Sequence, residues 1–194
     1  MFLLLTINSY GQVEKRKNYF PIWSFHQKNI NIHGISIGIG TVRTGPRYTN
    51  TNGIKIEIIG AGIAIPLIPQ SPVAKDDSSF IALSKEPISE RINGISLSAT
   101  GTACDCITNG INIGFIGNIN YQVNGLTASL LMNFAQKHNG LQFAMFNEAY
   151  YMTGLQIGLF NKSDKSRGIQ IGLWNINQKR KLPLINWNFK RNPE

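Results

Sequence analysis

The chain has 194 residues, 42% of them apolar and only 15% charged. This excludes a disordered tail and provides for a core within one domain. The net charge of +9 is carried by the ends: residues 13–28 hold four basic groups and one acid, residues 29–161 seven of each, and residues 162–194 eight basic groups and two acids. A nucleic-acid binder would carry a basic face through its body, so nucleic acid is not an expected partner. Basic ends suit an acidic surface such as lipid headgroups or anionic sugars.

Met1 to Gln12 (MFLLLTINSYGQ) reads as the back half of a secretory signal peptide without its basic start. Its Ser-Tyr-Gly-Gln ending resembles Bacteroidetes signal peptides. Export is therefore expected, to periplasm, outer membrane or cell surface. No run of about 18 apolar residues occurs, so no transmembrane helix is expected.

Residues 13–194 read as one β-repeat domain. Within 18–59, Tyr19 to Phe25 is an aromatic, Pro-containing front cap, and early strands begin at Gly34 and Gly53. Residues 60–92 break the pattern with Gly60 to Pro69 and a mixed stretch holding Asp76 and Asp77, which reads as an excursion. No window shows helical periodicity.

Residues 93–177 carry the main signal. Gly154-Leu-Gln-Ile-Gly-Leu-Phe-Asn161 recurs as Gly168-Ile-Gln-Ile-Gly-Leu-Trp-Asn175, and weaker copies begin at Gly94, Gly110, Gly125 and Gly140. After each glycine, apolar residues alternate with polar or small ones, so each copy is one β-strand with two faces. The apolar columns, such as Leu155, Ile157 and Leu159, are expected to form a shared core. The polar column Asn112, Thr127, Gln142, Gln156 and Gln170 is expected to be the exposed face that meets a partner. Recurring glycines in the small column (Gly114, Gly158, Gly172) suggest close approach of another backbone. Residues 178–194 supply a C-terminal cap, Leu182 to Phe189, and a basic tail.

The fold class is all-β, a repeat-built sheet. A β-solenoid fits best, because Asn133, Asn147, Asn161 and Asn175 fall one repeat apart and would stack on one edge. An antiparallel meander or small outer-membrane-type β-barrel is the alternative, supported by the apolar/polar alternation. Against the barrel, each stretch spans about eight residues where a crossing strand needs roughly 9–11.

The chemistry expected is sparse. Cys104 and Cys106 sit two apart, a spacing at which strand residues rarely close a disulfide, and read as small strand residues. His26 lies in the front cap, and His33 and His138 read as exposed. No acid pair, nucleophile and base, or phosphate-cradling glycine loop stands out. No enzyme, metal or cofactor is expected, and a hydrolase using Cys104 or His26 is the weakest reading.

The Gly-x-Gln-Ile-Gly-Leu-x-Asn copies, with Arg180-Lys-Leu-Pro-Leu-Ile-Asn-Trp187 behind them, resemble surface-repeat proteins of Bacteroidetes and spirochaetes. The resemblance covers roughly residues 94–189. It implies a cell-envelope location and transfers no catalytic residue. Expected partners are an envelope protein, a glycan or lipid headgroups, with self-association through sheet edges.

Overall fold

The computed structural model describes residues 16–40 and 45–190. The expected leader, residues 1–12, lies outside them. The chain is a β-solenoid of about ten turns. Its strands are β1 (Lys17–Tyr19), β2 (Ile22–Ser24), β3 (Ile30–Gly38), β4 (Thr49–Glu57), β5 (Glu90–Ser98), β6 (Ala103–Gly114), β7 (Gly117–Ala128), β8 (Met132–Phe143), β9 (Phe146–Ile157), β10 (Phe160–Ile176) and β11 (Lys181–Asn188).

From β3 to β10 every strand pairs in parallel with the next, one repeat on. Parallel neighbours rule out the meander and the barrel, whose adjacent strands run antiparallel. The register puts Gly34, Gly53, Gly94, Gly110, Gly125, Gly140, Gly154 and Gly168 in one ladder. The two early copies therefore belong to the same stack.

That ladder is a corner. Every glycine in it has a positive φ, +136° at Gly140 for example, a region L side chains rarely adopt. A Cβ on Gly140 would also run into the carbonyl oxygen of Gly125, one coil below. The small column behaves likewise: a Cβ on Gly158 would meet the Ala144 carbonyl oxygen. The close backbone approach read from sequence is present there.

Each coil has two walls. In the coil of β8, the first wall is Met132 to His138, and the second runs from Gly140 to Met145. Asn133, Ala135, His138, Gln142 and Ala144 point into the interior and are buried. The inward column of the first wall is mixed, with Val123, His138 and Met152 stacked in register.

At the N-terminal end β1 and β2 both pair in parallel with β3. At the other end β11 reverses and pairs antiparallel with β10. Between β4 and β5 the chain leaves the stack. It forms a 3-10 helix (Ala61–Leu67) and an α-helix, α1 (Asp77–Ser84), that lie over the first wall. The sequence reading missed both helices. Pro66 interrupts the first, and α1 is one short stretch without an apolar stripe. Its local signal is the capping box, in which Asp76 Oδ1 accepts from the Ser79 backbone N–H at 2.7 Å and Ser79 Oγ accepts from the Asp76 N–H at 3.1 Å.

Phe80 of α1 stacks on Tyr150, with ring centroids 5.0 Å apart. Tyr150 also donates its hydroxyl to Asp77 at 2.7 Å, and Lys165 pairs with the same carboxylate. Hydrogen bonds from Lys165 and then Tyr150 hold the Asp77 carboxyl below its usual range. Burial first, and the Asp77 bond second, push the Tyr150 hydroxyl up to about 12.

Candidate functional site

The orientation of the two faces is the reverse of the sequence expectation. Asn112, Thr127, Gln142, Gln156 and Gln170 are not an exposed face. All five lie inside the solenoid, with at most 2% of each exposed. The apolar columns expected to form the core face outward on the second wall. Phe143 is 52% exposed, Leu130 53% and Phe115 65%.

For Gln142, Gln156 and Gln170 the physical reason lies in the hydrogen bonds, whereas Asn112 is buried with neither amide atom bonded. A polar side chain buried alone costs free energy, but identical amides stacked one coil apart satisfy each other. Gln170 Nε2 donates to Gln156 Oε1 at 2.7 Å, and Gln156 Nε2 to Gln142 Oε1 at 2.9 Å. At the other corner runs a second ladder, as the repeat spacing predicted. Asn118 Nδ2 donates to Asn133 Oδ1 at 3.1 Å, Asn147 to Asn161 at 2.9 Å, and Asn161 to Asn175 at 2.8 Å. These asparagines also close the bend that follows: Asn133 Nδ2 donates to the Phe143 carbonyl, Asn147 to that of Ile157 and Asn161 to that of Ile171. A third ladder, Asn139 to Asn124 to Asn109 to Asn93 to Asn52, runs along the exposed glycine corner.

With polar and small residues on its inner side, the second wall presents only apolar groups outward. Three columns cross eight coils: those of Ile111, Leu126 and Leu141; of Leu97, Ile113 and Phe143; and of Phe115, Leu130 and Met145. No position in these columns is charged. Strand β11 extends them with Ile185 and Trp187, which pair with Ile171 and Ile169. The wall spans roughly 35 Å by 13 Å. Soluble monomers rarely leave apolar patches of that extent bare.

The charges lie elsewhere. Among the described residues, Glu57 and Glu90 are buried inside, while Asp76, Asp77 and Glu86 lie on the excursion. Asp105, Glu148 and Asp164 belong to the first wall, where Lys162 bonds Glu148 at 2.7 Å. Where the second wall meets the first, Phe146 and Phe160 stack with centroids 5.0 Å apart. They border a groove of about 390 Å³ that is also lined by Ile65, Ile68, Phe134 and Trp174.

Cys104 and Cys106 form a disulfide, contrary to expectation. A register shift between Cys104 and Ile107 shortens the strand there. The two Cα atoms are 5.2 Å apart, within disulfide range, where a regular strand would hold them roughly 6.6 Å apart. As a disulfide, Cys104 offers no thiolate nucleophile. His26 and His33 are exposed, and no group of three His, Cys, Asp or Glu side chains fit to hold a metal occurs among the described residues.

His138 is buried rather than exposed, and its Nε2 lies 3.2 Å from Thr127 Oγ1. Burial pushes its pKa down to about 4. The folded protein therefore refuses a proton that the unfolded chain accepts below about pH 6.5. Stability should fall by about 3 kcal/mol as pH drops from about 6.5 to about 4, and change no further from this group below that. Urea unfolding of wild type and His138→Met across that range checks this. The variant should lose this part of the pH dependence, and equal slopes would refute the assignment.

Comparison with protein-family models, with curated proteins and with solved structures finds no match to this chain.

Proposed function

We propose that the protein is a non-catalytic, exported cell-envelope solenoid that works through its apolar second wall, a rigid docking platform. One observation carries this: the second wall turns its large apolar side chains outward and its polar and small residues, amide ladders among them, inward. A sheet that needed those residues for its own core would turn them inward. The Cys104–Cys106 disulfide supports an oxidising compartment, which agrees with the exported reading of the N-terminal sequence.

The reading is tested by the triple variant Phe115→Ser, Leu130→Ser, Phe143→Ser. Because these side chains are more than half exposed, the variant should lose less than about 1.5 kcal/mol of stability in urea unfolding. Binding of an apolar fluorescent dye should fall several-fold. A loss above about 4 kcal/mol would mean that the wall is core after all, and the platform reading would be dropped.

A further inference from the structure

We infer that the occupant of the apolar wall is the interfacial zone of a lipid bilayer bearing anionic headgroups. This rests on the platform reading and adds the partner to it. The argument is one of shape and charge together. The wall is long, nearly free of polar groups and built on a rigid stack, so it offers one continuous apolar strip rather than a pocket for a side chain. Aromatic residues gather at its C-terminal end, where Trp187 and Phe189 stand on or beside the last strand and Trp174 on the neighbouring corner. Amphipathic rings of this kind favour the boundary between acyl chains and headgroups.

The same end carries the cations. The Arg180 guanidinium lies 4.3 Å from the centre of the Trp187 ring. Lys190 follows Phe189, and Arg167 sits exposed at the corner one step beyond the Gly168–Asn188 pair. From 166 to 190 the sequence holds five basic residues and no acid. The exposed acids lie on the excursion and the first wall, away from this strip. An apolar face with basic groups gathered at one end can lie in a membrane surface, where burial and attraction to anionic lipid add.

The experiment is flotation of the full chain with vesicles of phosphatidylcholine alone or of phosphatidylcholine mixed with phosphatidylglycerol. Wild type should float with the mixed vesicles, bind the neutral ones on the order of tenfold more weakly, and be released by raised salt. The Phe115→Ser, Leu130→Ser, Phe143→Ser variant should lose binding to both. Arg167→Gln with Lys190→Gln removes two exposed charges, and should lower affinity for mixed vesicles roughly tenfold while leaving the neutral-vesicle affinity unchanged. Two results would overturn the inference. Flotation that survives loss of the wall would show binding by charge alone. A wall-dependent dimer in sedimentation that ignores both vesicle types would make a second copy the occupant, and the platform reading would stand. If neither vesicles, dimer nor dye responded to the wall variant, both readings would fall.

Discussion

Asn147→Asp is expected to remove at least about 4 kcal/mol of stability at neutral pH, a large fraction of what a domain of this size has. Asn147 Nδ2 donates to the carbonyls of Ala144 and Ile157 and to Asn161 Oδ1, at 2.9–3.1 Å, and the residue is 2% exposed. An aspartate keeps the shape and loses both N–H donors that serve these three acceptors. It also places a carboxylate among three acceptor oxygens in a buried site. Asn147→Ala leaves the same acceptors unmet without adding a charge, and should cost about 2 kcal/mol. Burial raises the pKa of the new carboxyl in the folded state. The deficit of Asn147→Asp relative to wild type should therefore shrink as pH falls through that value and the acid regains a proton to donate. Urea unfolding of the three proteins at pH 7 and pH 4 measures this. Equal stability of the Asp and Ala variants at pH 7 would show that the ladder is not what holds the corner.

The second large effect lies at the other end of the stack. Lys55 Nζ is 2.7 Å from Glu90 Oε2, and Arg47 Nη2 is 3.0 Å from the same oxygen. The lysine and glutamate side chains are 1% and 0% exposed, and the ammonium sits 4.6 Å from the centre of the Phe25 ring. Glu90→Ala removes the one carboxylate these two cations share. Lys55 would be left buried with only a ring face opposite it, at a cost of about 3–5 kcal/mol. Glu90→Leu combined with Lys55→Met replaces the pair with apolar groups of similar size and should recover most of that loss. Thermal unfolding of the single and double variants gives the comparison. A double variant no more stable than Glu90→Ala would mean that the loss comes from packing rather than from an unpaired charge.

The sequence made much of this architecture legible and misplaced its inside. Period-two alternation after each glycine gives the strands, and the spacing of Asn133, Asn147, Asn161 and Asn175 gives the stacking. Alternation defines two faces but does not say which one is inward. Turning the apolar face inward is the usual assumption, and it fails here because Gln142, Gln156 and Gln170, like the asparagines of the second ladder, have partners one coil away. A usable signal was present in the columns themselves. In the last three coils the polar column repeats one residue, Gln142, Gln156 and Gln170, because a ladder needs like side chains in register. The apolar ones wander among Ala, Leu, Ile, Phe and Met, because an outer wall asks only for apolarity. The inward turn of His138 and the Cys104–Cys106 link were hidden for local reasons. One depends on a column that mixes Val123 with Met152, and the other on a strand irregularity that sequence does not mark. The wall residues themselves were singled out in the sequence and given the opposite role.

The reversal at β11 limits growth. Each coil from β3 to β10 offers the next strand the same parallel hydrogen-bonding edge, and such an edge, left bare, is a template on which another chain could continue the stack into a fibre. Strand β11 closes it with the chain running the other way. Pro183 withholds a backbone donor within that strand, and Leu184, at a φ of 63°, breaks its extended course. At this end of the stack a newcomer's first coil therefore meets a foreign polarity instead of a copy of its own neighbour.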